Sequence, residues 1–166
     1  MEPILVGMGE FRMADHSTQL TCVGLGSCVA VVLHDSKKEI GGIAHVMLPS
    51  REEVKHPGNP AKFADSSIEL MISELKRHGA NPRDLKAKLY GGANMFPNIE
   101  SRGMRLIGER NVEAIRSELE KHHIEIVEEE VGGTVGRSII FDPHDGSVRV
   151  RCVRRTEAIP YGRKRE

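Results

Sequence analysis

Thr21-Cys22-Val23-Gly24-Leu25-Gly26-Ser27-Cys28-Val29-Ala30-Val31-Val32-Leu33 is a glycine-rich passage that opens into an apolar strand, with a cysteine at the junction. The apolar run 28–33 is the longest in the chain. It suits a buried strand and falls far short of the roughly 18 residues that a membrane-crossing helix needs. Asp35-Ser36-Lys37-Lys38 then interrupts the pattern, which resumes over 40–48, so the two runs read as a hairpin. With that loop His34 pairs with Glu39, and Cys28 falls directly opposite His45. Directly opposed residues hold their Cβ atoms about 4.5 to 5.5 Å apart on one face.

A cysteine beside a histidine is a nucleophile beside a base. The thiolate is the attacking species, and an imidazolium neighbour lowers the thiol pKa from its unperturbed value of about 8.5. A free thiol is already slightly ionised at neutral pH, so complete ionisation contributes at most about 2 kcal/mol to lowering a barrier. The larger service of His45 would be as general acid to a leaving amine. Backbone N–H groups near Gly26 to Cys28, with Gly26 and Ser27 as the substrate-binding residues, are candidate oxyanion donors, worth roughly 3 to 4 kcal/mol each. A Cys-His hydrolase is one reading of this pair; two satisfied core residues of a hairpin is the other.

On the N-terminal side, 4–13 and 19–23 also read as strands, which gives the first half a small antiparallel sheet. On the C-terminal side, 50–60 carries two prolines, a glycine and several charges and reads as a loop, with Asn59-Pro60 as a helix start. Ala61, Ala64, Ile68, Met71, Ile72 and Leu75 recur at helical steps until Gly79 and Pro82. A strand over 86–90 leads into Gly91-Gly92-Ala93-Asn94-Met95-Phe96-Pro97. A second helix over 107–122 places Val112, Ile115 and Leu119 on one side, with Lys121, His122 and His123 at its C-terminal end, where cations suit the helix dipole. Strands over 125–131, 137–141 and 147–153 follow, the last two joined by the turn Pro143-His144-Asp145-Gly146. The expected class is α+β, an antiparallel-rich mixed sheet packed with two main helices, in a single domain over 1–166 whose last residues, about 154–166, form a basic tail.

Composition excludes several functions. Lys plus Arg is 24 and Asp plus Glu is 24, so a general affinity for nucleic acid is not expected. Aromatics are 4% with no Trp, which leaves no base-stacking platform. The N-terminal Met-Glu-Pro-Ile-Leu lacks the basic and long apolar segments of a secretory signal, and three cysteines without a C-x-x-C pair point to free thiols in a reducing, cytoplasmic setting. Gly24-x-Gly26 lacks the third glycine of a dinucleotide fingerprint, and Gly132-Gly133-Thr134-Val135-Gly136-Arg137-Ser138 lacks the P-loop lysine. The eight histidines show no ligand spacing, so neither cofactor nor metal is expected. Strand alternation turns Ser27 away from the face of Cys28.

The run Gly24-Leu25-Gly26-Ser27-Cys28-Val29-Ala30-Val31, followed by Ala44-His45-Val46-Met47-Leu48-Pro49, resembles the chemoreceptor glutamine deamidases called CheD. The likeness continues in Lys88-Leu89-Tyr90-Gly91-Gly92-Ala93-Asn94-Met95-Phe96, Ile107-Gly108-Glu109-Arg110-Asn111 and Val131-Gly132-Gly133-Thr134-Val135-Gly136-Arg137. The resemblance implies an α/β sandwich similar to deamidating toxin cores. It also implies a protein-glutamine glutaminase that converts glutamines of methyl-accepting chemotaxis receptors to glutamates through a cysteine thioester. Carried over by position, Cys28 is the nucleophile and His45 the general base and acid. The family places a Thr six residues before the Cys, where this chain has Cys22, with Thr21 one earlier. Strand parity turns Thr21 the other way, so either a bulge near Gly24 restores its hydroxyl to His45 or another group, such as a backbone carbonyl, orients the imidazole. The phosphatase CheC is the partner the resemblance implies, and the 91–97 and 50–60 loops are candidates for shaping the cleft. The rival from another class is a non-catalytic adaptation module that binds receptors or CheC; a second enzymatic reading is hydrolysis of receptor methyl esters by the same cysteine.

Overall fold

The computed structural model describes residues 2–96 and 106–153. The expected basic tail, and Pro97 of the glycine-rich loop, lie outside the described residues. The strands are β1 (Ile4–Leu5), β2 (Phe11–Asp15), β3 (Leu20–Leu25), β4 (Val29–Asp35), β5 (Ile40–Val46), β6 (Leu85–Gly91), β7 (Glu125–Val131), β8 (Gly136–Asp142) and β9 (Ser147–Val153). The α-helices are α1 (Ala64–Arg77) and α2 (Ile107–Lys121). The class is α+β, as the pattern predicts. The strands, however, divide between two sheets, ordered β1-β3-β8-β9 and β2-β5-β4-β6-β7. Pairing is antiparallel except for β1 with β3 and β6 with β7. The β6 to β7 crossover is long enough to be parallel because α2 lies within it.

Strand β4 explains the layering. Val29, Val31 and Leu33 pack with Ile68, Met71 and Leu75 of α1 and Ile115 and Leu119 of α2, whereas Ala30 and Val32 pack with Leu20, Cys22, Leu25, Ile139 and Phe141 of the other sheet. Both faces are therefore apolar, which is why 28–33 reads as an unbroken run rather than an alternation. Each large side chain buried there contributes about 1.5–3 kcal/mol relative to exposure. The outer strand β7 instead exposes Glu125, Glu128, Glu129 and Glu130, charges that discourage pairing with another chain along the sheet edge.

Two expectations are corrected. The single strand over 4–13 is two short strands in different sheets, because 6–10 cross between them through a turn in which Gly9 has φ +73° and Glu10 N–H donates to the Gly7 carbonyl at 3.1 Å. The β4–β5 register is also displaced by two. Asp35 pairs with Ile40 and Ala30 with His45, so the loop is Ser36 to Glu39 and Cys28 is not opposite His45. The cause is the Asp35 carboxylate: Oδ1 accepts from Lys37 and Lys38 N–H at 3.0 and 3.3 Å, and Oδ2 accepts from Asn81 N–H at 2.9 Å. Such an aspartate turn makes Asp35 the last strand residue, and Glu39 closes the loop at φ +53°. A shift of two preserves the face, so Cys28 and His45 stay on the same side of the sheet.

Asp35→Ala leaves three half-buried backbone donors without their acceptor. We expect urea denaturation to show a loss of about 2 kcal/mol, with m unchanged.

Candidate active site

The site lies where the chain passes from one sheet to the other. In β3 the register slips between Cys22 and Leu25. Cys22 and Leu25 both face the inter-sheet core while Val23 and Gly24 lie outside, a bulge centred on Gly24 at φ +68°. Residues 26–28 then carry the chain to β4. The Gly26 carbonyl accepts from Ala93 N–H at 2.8 Å and the Cys28 carbonyl from Gly92 N–H at 2.9 Å. A Cβ on Gly91 would sit 2.2 Å from the Cys28 oxygen, so only glycine permits this approach. The Gly91-Gly92 segment is thus the wall behind the cysteine.

Cys28 is half-buried and packs on the inter-sheet core. His45 is 4% exposed and lies on the same face of the sheet as Cys28, its diagonal neighbour. Diagonal neighbours are roughly 7–8 Å apart between backbones and within reach of longer side chains. Among the described residues no hydrogen bond joins Cys28 to His45; the imidazole instead bonds through Nδ1 to the Val6 carbonyl at 3.1 Å. A carbonyl only accepts, so Nδ1 carries the proton and Nε2 keeps its lone pair. The Val6 carbonyl also accepts from the Cys22 thiol at 3.6 Å, and Val6 N–H donates to the Thr21 carbonyl at 2.8 Å.

Thr21 is therefore not brought to His45. Its hydroxyl donates to the Ile139 carbonyl at 2.7 Å on the outer side of the four-stranded sheet. The bulge begins after Cys22 and cannot turn it inward. What Thr21 supplies is its main-chain oxygen, which holds Val6. Ser27 likewise contributes a carbonyl, which accepts from Asn111 Nδ2 at 3.0 Å. The same Nδ2 donates to the Met47 carbonyl at 3.0 Å. Sequence reading missed Asn111 and Val6. Asn111 had a signal, a polar residue on the stripe Gly108, Val112, Ile115 and Leu119 that α2 buries; a carbonyl has none.

Burial pushes the Cys28 thiol up and holds His45 below its usual value, the latter partly offset by the Val6 hydrogen bond and the charge of Glu10. Cys22 is pushed up to about 12, by burial first and then by Cys28. The resting pair is accordingly a neutral thiol and a neutral imidazole. Such a pair transfers its proton as attack occurs: Nε2 takes the thiol proton and later returns it to a leaving group. Among the described residues no group of three or more His, Cys, Asp or Glu is placed to hold a metal ion. No described helix is long and apolar enough to cross a membrane.

A layered α+β protein with a half-buried cysteine and an oriented imidazole on one sheet face defines the class, and comparison with known proteins gives the family. The CheD chemotactic sensory transduction family matches residues 47–152. A Thermococcus kodakarensis protein described as a probable chemoreceptor glutamine deamidase CheD is 41% identical over 90% of this chain and 92% of its own length. Proteins of the same description from Desulforamulus reducens and Clostridium kluyveri are each 43% identical, over 90% and 92% of this chain and 90% and 94% of their own. The chain belongs to the CheD family. Among solved structures, the Bacillus licheniformis hypothetical protein YfiH is similar with a TM-score of 0.43 at 17% identity over 78% of this chain, which spans 58% of that protein; the likeness is too slight to bear on function.

Because the resting thiol is neutral and its pKa raised, alkylation at Cys28 should rise about tenfold per pH unit through and beyond the free-thiol value of about 8.5. Iodoacetamide labelling followed by peptide mass mapping measures it. A plateau near neutrality would instead reveal a preformed thiolate.

Proposed function

We propose that this chain is a protein-glutamine deamidase acting on chemoreceptors, with Cys28 as nucleophile and His45 as base and acid. The observation that carries this reading is the Val6 hydrogen bond, which leaves His45 Nε2 bare on the face it shares with Cys28. The Cys28 proton moves to Nε2 as sulfur attacks the side-chain amide carbon. The tetrahedral intermediate collapses with C–N cleavage, and the leaving nitrogen takes the proton as ammonia. Water then attacks the thioester with His45 as base, releasing glutamate and restoring the thiol. The substrate is a methyl-accepting chemotaxis receptor, the reaction takes place in the cytoplasm without a cofactor, and one domain spanning 1–166 carries it. The phosphatase CheC is the regulatory partner, and the 50–60 loop and the described part of the 91–97 loop, 91–96, border the cleft. Relatives at about 40% identity across nine-tenths of the chain bear the receptor deamidase description, which supports this substrate.

Incubation with a chemoreceptor cytoplasmic fragment should convert glutamine to glutamate, read by mass spectrometry. Cys28→Ala and His45→Ala should each lower the rate by on the order of 10³-fold or more. Conversion that survives Cys28→Ala, or receptor binding by the parent without any conversion, overturns the proposal, and the latter result favours an adaptation module that only binds. Thr21→Val should leave the rate within a few-fold, since its hydroxyl bonds Ile139 and not His45.

A further inference from the structure

We infer that Asn111 is a positioning residue for the oxyanion of this reaction, acting through the Ser27–Cys28 peptide; this rests on Cys28 being the nucleophile. The first observation is a ladder bond that does not form. Strands β4 and β6 pair Val29 with Gly91, so Cys28 and Gly92 are the next opposed residues. An antiparallel pair of this kind exchanges two hydrogen bonds. Gly92 N–H donates to the Cys28 carbonyl, but Gly92 has φ +67° and its carbonyl turns to the start of α2, where a Cβ on Gly108 would lie 2.6 Å from it. Cys28 N–H thereby loses its ladder acceptor, and among the described residues it donates to no other backbone carbonyl.

The second observation fixes the direction of that freed donor. Asn111 Nδ2 commits both protons, one to the Ser27 carbonyl and one to the Met47 carbonyl, each at 3.0 Å. Both partners only accept, so the side-chain amide has a single orientation. These carbonyls lie at the open end of the β4–β5 hairpin, where the ladder stops. A trans peptide sets its N–H antiparallel to its C=O. Holding the Ser27 oxygen on the β5 side therefore aims Cys28 N–H to the β6 side, into the place from which the Gly92 carbonyl has withdrawn.

The third observation is what Asn111 gives up. It is fully buried, and among the described residues its Oδ1 has no hydrogen-bond partner. An orphaned buried acceptor is destabilising, and an apolar residue at this point of the stripe would avoid it. The donor half of the amide is what the site uses. A backbone N–H with a fixed direction lowers a barrier by meeting the oxygen on which charge develops, with no reorganisation at the moment of attack.

Alkylation by iodoacetamide separates this role from support of the fold. It displaces iodide at a saturated carbon and forms no oxyanion, whereas attack on a glutamine amide does. With a receptor fragment as substrate, Asn111→Ala should lower kcat roughly ten- to a hundredfold, while KM and the Cys28 alkylation rate stay within about twofold of the parent. An unchanged kcat overturns the inference, and so does a parallel fall in alkylation and kcat, which would make Asn111 a structural residue only. Should Asn111→Ala fail to fold, Asn111→Leu has a similar shape without the donor and carries the same comparison. Deamidation that survives Cys28→Ala removes the nucleophile assignment itself, a result distinguishable from either outcome at Asn111.

Discussion

Burial of β4 on both faces is the constraint from which the rest follows. A strand covered on one side by two helices and on the other by a second sheet has no room for polar chemistry along its length. Polar groups concentrate toward the ends of the ladder, because there backbone donors and acceptors lose their strand partners and side chains gain access to solvent. Cys28 is the first residue outside the ladder at that end. The same boundary collects His45 near the end of β5, the glycines that terminate β6 and the buried amide from α2. The site is thus a property of a strand end and not of any one loop.

Its electrostatics follow from the same burial. Low access to water disfavours the thiolate and the imidazolium alike, so the pair rests uncharged. A neutral carbonyl behind the imidazole fixes its tautomer without the strong pull of a carboxylate. Glu10 adds a more distant negative charge that favours the protonated ring. On the proposed mechanism this arrangement suits a substrate whose leaving group must be protonated, since a proton taken from sulfur by Nε2 would be held there until the amine departs.

The sequence made the elements legible where side-chain periodicity is strong. Strands 125–131 and 147–153 and the second helix fall within a residue of their expected bounds. It located Cys28 and His45 on one face, but through a register displaced by two. The Asp35 carboxylate that sets the register acts on backbone N–H groups, which leave no trace in an apolar pattern. The break within 4–13 was marked only by Gly7 and Gly9 inside an otherwise strand-like run, and the division into two sheets depends on tertiary pairing that no local pattern encodes. Thr21 drew attention as a hydroxyl, yet it takes part through its main-chain oxygen. What sequence reading captured were side chains that pack; what it lost were bonds to peptide groups, those made by the Asp35 and Asn111 side chains and the identity of the carbonyl that orients His45.

That distinction bears on how such a site changes over generations. The group that orients His45 belongs to the peptide backbone of residue 6, and every amino acid brings the same carbonyl there. Substitution at this position alters packing but cannot delete the contact. The vulnerable quantity is the length of the connection between Leu5 and Phe11, which spans the gap between sheets with its path pinned at both ends. Insertion or deletion of a single codon there would move the carbonyl off the imidazole while leaving every recognisable side chain of the site in place.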